Sequence, residues 1–149
     1  MSDSLYTVIG DLVGSRHVSD RRAVQTALAR ALNELNKAIS PAQALEPTVG
    51  DEFQGGFATL ASATRASLLV RLSMLPTVDS RSGIGYGEVT VHDDTRTPLL
   101  QDGPGWCAAR EAVESLEAGR PHRRTSFVAS DRPDGPHDVG AVNAYLVCR

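Results

Sequence analysis

The stretch 44-ALEPTVGDEFQGGF-57 reads as a strand, a tight turn and a second strand, and its reading decides the fold. Gly50 and Asp51 tolerate the left-handed backbone that a short turn demands, so the turn lies at or beside them. Pro47 restricts the first strand: it is admissible near a strand start or on a sheet edge. The turn also carries two adjacent carboxylates, Asp51 and Glu52. Ordinary hairpin chemistry accounts for Gly-Asp; a charged functional site is the other reading, and the flanking sequence has to separate the two.

Upstream, 5-LYTVIGDLV-13 is β-branched and apolar and ends on Gly10-Asp11, a buried first strand with an acid at its tip. Gly14-Ser15-Arg16 forms its exit. From Ser19, a candidate N-cap, the residues Val24, Leu28, Ala31, Leu32, Leu35 and Ile39 recur at helical steps until Ser40-Pro41 stops them. Downstream of the hairpin, Thr59 can cap a second helix running toward Leu75, with Leu68, Leu69, Leu72 and Leu75 inward and Pro76 as the stop. Next come a glycine-laced strand, 82-SGIGYGEVTV-91, and a polar loop, 92-HDDTRTPLLQDGPG-105. A third helix fits 106-WCAAREAVESLEAG-119, with Trp106, Ala109, Val113 and Leu116 on one stripe and Gly119 as terminator. Residues 125-TSFVAS-130 read as a further strand and 131-DRPDGPHD-138 as a loop. The ending 139-VGAVNAYLVCR-149 is either a terminal strand or the start of a helix leading into a C-terminal region absent here.

This order predicts an α/β (α+β) domain with a ferredoxin-like βαββαβ palm, followed by an added helix and strand. A split βαβ unit sets strand one beside the hairpin in an antiparallel sheet, with the first two helices on one face. Asp11, at the tip of strand one, and Asp51, at the hairpin turn, then become neighbours.

The 149 residues suit one domain spanning 1–149 with a single core. Apolar and charged fractions of 41% and 22% are those of an ordinary globular chain. A net charge of −3 supplies no general basic field, which argues against broad electrostatic binding of nucleic acid by this domain. No secretory signal is readable in MSDSLYTVIGDLVG and no apolar run is long enough to span a bilayer. Cys107 and Cys148 have no metal-type spacing and are consistent with a reducing cytoplasm. The four histidines are scattered through loop-like segments, and Arg120, His122, Arg123 and Arg124 make a short basic run that reads as a solvated loop.

Two carboxylates about 4 Å apart repel by on the order of 4 kcal/mol at an effective dielectric near 20. A shared proton or a hard divalent cation would neutralise them. Mg²⁺ or Mn²⁺ on Asp11 and Asp51, with Glu52 assisting, would leave coordination positions for water and substrate phosphates. Gly14 and Ser15 would offer backbone N–H groups to the same phosphates, and Arg16 a fixed positive charge. A plain strand-to-helix turn is the other reading of that tripeptide.

The segments 9-IGDLVGSR-16, 49-VGDEFQGGF-57, 83-GIGYGEV-89 and 103-GPGWCAAREA-112 together resemble the SatD family of bacterial proteins, over most of the chain. More broadly the pattern is similar to the palm-type catalytic domains of class III nucleotidyl cyclases and of GGDEF diguanylate cyclases. The resemblance implies metal-dependent nucleotide binding through Asp11, Asp51 and Glu52. For Arg110, in 106-WCAAR-110, it implies a phosphate contact, made within one chain or across a homodimer interface. The chain departs from cyclases where Trp106 replaces an orienting Asn, where Pro47 replaces a base-reading Lys, and where Val49 replaces the second glycine of GGDEF. Binding of a metal and a nucleoside triphosphate survives these departures better than cyclisation. The expectation is therefore a nucleotide-binding palm, either catalysing nucleotidyl or phosphoryl transfer or acting as a non-catalytic sensing module. On residue chemistry alone, Trp106 reads as core, Arg110 reads almost equally as a Glu114 ion-pair partner, and Glu88 reads as a solvated edge residue.

Overall fold

The protein is described by a computed structural model covering residues 2–119, 122–130 and 137–147. Arg120, the stretch 131–136 and Cys148 lie outside the described residues. The chain opens with β1 (Ser2–Val13) and α1 (Arg21–Ile39), then the hairpin of β2 (Gln43–Pro47) and β3 (Glu52–Phe57). It continues with α2 (Leu60–Met74), β4 (Asp79–Asp93), β5 (Leu100–Asp102), α3 (Pro104–Ala118), β6 (Thr125–Ala129) and α4 (Val139–Val147). No helix among the described residues is long and apolar enough to cross a membrane.

The sheet runs β2-β3-β1-β4, antiparallel throughout, which is the split βαβ arrangement expected from the element order. The long β4 serves two further strands on its other side. β6 pairs in parallel along Ser82–Tyr86 and β5 antiparallel near its end, from Thr90 to Asp93. The hairpin turns where Gly50 adopts a left-handed φ of +66°, closed by a bond of 2.8 Å from the Thr48 N–H to the Glu52 carbonyl.

Alternation along β1 divides the two faces. Val8 and Leu12 pack with Phe53, Phe57 and Ile84 under α1 and α2, the core face, while Ile9 joins Val89, Trp106, Ala109 and Val113 under α3 on the other. The glycines of β4 explain how α3 comes so close. A methyl group built on Gly83 would stand 2.3 Å from the Val113 nitrogen, and one on Gly85 would stand 2.3 Å from the Ala109 nitrogen. Helix backbone thus lies directly on strand backbone, and the Thr7 hydroxyl fastens the contact by donating to the Gly105 carbonyl at 2.8 Å.

Two asparagines finish the sheet at its margins. On β2, Asn36 of α1 accepts the Leu45 N–H at 2.7 Å and donates to the Leu45 carbonyl at 2.9 Å. On β6, Asn143 of α4 does the same for Phe127, at 2.9 and 2.8 Å. Each carboxamide supplies one donor and one acceptor, the pair that a neighbouring strand would otherwise provide.

Several expectations are corrected. The cap of α1 is Asp20, whose carboxylate accepts the Ala23 N–H at 2.9 Å, not Ser19. Thr59 does cap α2, but the buried stripe of that helix is Ala63, Ala66, Ser67, Val70 and Met74, while Leu72 is exposed and Leu75 sits past the last turn. Apolar residues surround α2 on nearly all sides, so their periodicity does not fix its inward face. The polar loop after residue 91 contains β5, three residues whose exposed Leu100 and acidic Asp102 carry no strand pattern. Of the two alternatives for the C-terminal segment, the helix forms, since Asn143 and Leu146 turn one of its faces to β6 and the core.

Candidate functional site

The tip of β1 and the turn of the β2–β3 hairpin meet because Asp11 and Glu52 are direct partners in the antiparallel ladder. The Leu12 N–H continues that ladder to the Asp51 carbonyl at 3.3 Å. After Val13 the chain turns through Gly14, at a left-handed φ of +70°, into a single 3-10 turn, Ser15–His17, before α1. Asp11, Asp51, Glu52, Gly14, Ser15 and Arg16 thereby line one recess of about 610 Å³. Within it the buried Ser15 hydroxyl donates to Asp51 Oδ2.

Repulsion among these acids is balanced by arginines from three elements. Arg81 of β4 forks onto Asp11, donating from Nε to Oδ1 at 3.1 Å and from Nη2 to Oδ2 at 2.9 Å. Arg110 of α3 forks onto Glu52 at 2.8 and 2.7 Å. Arg21 of α1 stands 3.7 Å from Asp51 Oδ2, largely in solvent. The Arg81 and Arg110 forks are two-point guanidinium–carboxylate contacts, which fix geometry as well as charge. A fourth acid, Glu117 of α3, also lines the recess and lies 3.6 Å from Arg81. Four acids thus face four arginines, counting Arg16 and Arg110.

The couplings show in the proton affinities. Arg81 is raised, chiefly by its hydrogen bond to Asp11, and Arg110 chiefly by its bond to Glu52, against the opposing effect of burial in each case. Glu117 is held above the usual carboxylate range, first by burial and then by its hydrogen bond to Asp11 and that residue's charge.

The sequence reading named a proton or a cation as the neutralising charge; here guanidinium groups do that work. Arg81, Glu117 and Arg21 were missed. Glu117 follows Arg110 by seven residues, two turns along the same helix, and Arg81 shares the 81-83-85-87 alternation of β4, so both left a faint signal. Arg110 reaches Glu52 rather than Glu114. Trp106 is buried with Ile9, Val89, Ala109 and Val113 as part of the α3-side core. Glu88 lies toward the far end of β4 and borders a different recess. His122, Arg123 and Arg124 sit beside α4 and do not line this recess, with Arg124 bonded to Asp79 at 2.8 Å.

Carboxylate oxygens on adjoining strands are the donor type that Mg²⁺ and Mn²⁺ prefer, so the chemistry of the site suits such an ion. Both oxygens of Asp11 are engaged by Arg81, however, and a cation there has to exchange with that fork. Among the described residues no group of three or more His, Cys, Asp or Glu side chains is arranged to hold a metal. A bound ion would therefore take most of its ligands from water and phosphate.

Comparison with known proteins agrees with this fold. The sequence model of the SatD family matches residues 5–136. No curated protein matches the chain in sequence. Among solved structures, a bacterial light-regulated adenylyl cyclase superposes with a TM-score of 0.68 at 12% identity, over 85% of this chain and 43% of the other. The chain thus spans less than half the length of that protein. The guanylate cyclase domain of RhGC from Catenaria anguillulae, solved with GTP, gives 0.57 at 14% identity, over 77% of this chain and 75% of its own. An adenylate/guanylate cyclase/hydrolase from Silicibacter pomeroyi gives 0.57 at 16%, over 74% and 69%. At such identities the likeness is one of fold: the palm of nucleotide cyclases is the architecture of this chain.

Proposed function

The chain belongs to the SatD family, and from that premise we propose that it is a nucleotide-binding palm whose ligand is a nucleoside triphosphate carried with Mg²⁺ or Mn²⁺. The observation that carries this reading is the convergence of Asp11, Asp51 and Glu52 with Arg16, Arg21 and Arg81 in one recess at the tip of β1, and the fork of Arg110 onto Glu52, on a cyclase-like fold. In this reading Asp11 and Asp51 hold the ion and Glu52 assists. Arg16 and Arg21, both exposed at the rim, draw in the phosphates, and Arg110 can pass from Glu52 to a phosphate oxygen. The ion, when bound, supplies charge neutralisation and would activate a hydroxyl in a transfer reaction.

Two versions of the reading differ in turnover. In the enzymatic version the site transfers a nucleotidyl or phosphoryl group. In the second it senses nucleotide without reaction, and one observation favours it: Trp106, at the position where the cyclase helix resembled here carries its orienting Asn, is packed into the α3-side core and presents no carboxamide to a ligand.

Thermal melting with Mg²⁺ or Mn²⁺ and each nucleoside triphosphate tests the common claim. A ligand at about a hundred times its Kd adds roughly 2.7 kcal/mol, a rise of several degrees in a domain of this size. The rise is expected to need both metal and nucleotide and to disappear in the Asp11→Asn/Asp51→Asn variant. An equal rise in that variant, or none in the wild type, removes the proposal. Release of pyrophosphate or phosphate then separates the enzyme from the sensor.

A further inference from the structure

In the nucleotide reading Asp11 holds the ion, and a single side chain spans its carboxylate. Arg81 faces Asp11 directly across the β1–β4 ladder, and both side chains are about four-fifths buried. Register therefore fixes the pair: neither residue can leave the other without a rotamer change inside a packed sheet. The fork occupies both carboxylate oxygens, at 3.1 and 2.9 Å. Beside it, Glu117 stands 3.6 Å from Arg81 Nη2 and is half exposed, a second carboxylate within reach of the same guanidinium.

We propose that Arg81 is a selectivity gate, keeping Asp11 closed to a free divalent cation and opening it to one that arrives with a polyphosphate. This deepens the nucleotide reading and rests on it. The argument is electrostatic. A bare cation entering at Asp11 has to expel the fork, which leaves a guanidinium a few ångströms from a double positive charge with only Glu117 to receive it. A cation already bound to triphosphate carries net negative charge, and its phosphate oxygens match the guanidinium fork as well as a carboxylate does. In that exchange Arg81 trades one anionic partner for another, and Asp11 passes to the ion. Arg81 is thus a positioning residue that discriminates between two forms of the same metal.

Binding of Mn²⁺, followed by electron paramagnetic resonance with and without inorganic tripolyphosphate, tests the gate without reference to turnover. Free Mn²⁺ is expected to bind Arg81→Gln at least tenfold more tightly than wild type, because the competing charge is gone. With tripolyphosphate the order reverses, the variant binding at least tenfold more weakly. Arg81→Lys keeps the charge but not the fork, so it should still exclude free Mn²⁺ while losing affinity for the tripolyphosphate complex; it also serves if Arg81→Gln does not fold. Equal affinities of wild type and variants for free Mn²⁺ and for its complex overturn the gate and leave nucleotide binding standing. Failure of every chain to take up Mn²⁺, with tripolyphosphate or with nucleoside triphosphates, overturns both.

Discussion

Arg110 could have paired with Glu114 one turn along its own helix, yet it crosses from α3 to the start of β3 and forks onto Glu52. Such a half-buried two-point pair is worth about 1 kcal/mol, more than an exposed ion pair and less than a desolvated one. A double-mutant cycle with Glu52→Gln and Arg110→Met, followed by urea unfolding, is expected to return a coupling of that size, and a coupling of zero contradicts the geometry. The acids of the recess were legible in the sequence because each stands in a local pattern: Gly10-Asp11 ends an apolar run, and Asp51-Glu52 sits on a glycine turn. Their counter-charges were not. Arg81 is separated from Asp11 by 70 residues and meets it only through strand register, which no short motif encodes.

Between β4 and α3 the fit is set by what is missing from the strand. The atoms that a methyl on Gly85 would strike are helix backbone, the Ala109 nitrogen at 2.3 Å and the Gly105 oxygen at 2.4 Å, and backbone cannot rotate aside. Gly85→Ala is therefore expected to push α3 off the sheet and cost about 3 kcal/mol, read as a drop in melting temperature of roughly 6–12 °C. Gly14→Ala is the control: open space surrounds that position, and only its left-handed backbone, worth about 1–2 kcal/mol, opposes a side chain. The sequence displayed the glycines of 83-GIGYG-87 plainly, and the stripe of α3 as well, but the depth of their contact appears only when strand and helix are superposed. For α2 the lesson is reversed. Its leucines dominate the sequence, while alanines and a serine face the core, because small residues let the helix settle nearer the sheet.

Across the whole molecule, one carboxylate joins three elements. Asp79, at the start of β4, receives Arg71 of α2 at 2.7 Å and Arg124, next to β6, at 2.8 Å. Burial alone would raise its pKa, but the hydrogen bonds from Arg71, Arg124 and the Ser80 N–H outweigh it and hold the group below the usual aspartate range. A carboxyl depressed by folding stabilises the folded state above its unfolded pKa, about 3.9, and loses that contribution as pH falls through the lower folded value. Asp79→Asn is accordingly expected to lower the melting temperature by a few degrees at pH 7 and to flatten its decline as the pH falls below about 4, as measured by calorimetry. The order of strands that brings these partners together was readable from the βαββαβ pattern; the parallel return of β6 to β4 was not, since nothing local announces which edge a late strand will join.

The asparagines on β2 and β6 bear on how copies of this domain can associate. An incoming guest strand needs an edge with idle amides, and at the centre of each of these two strands the amide and carbonyl are already satisfied by a side chain from the same chain. Lateral growth of the sheet from molecule to molecule is thereby discouraged along β2 and β6, and self-association through those strands gives way to contacts made by side chains, such as those of helices, turns and the sheet surface beside α3.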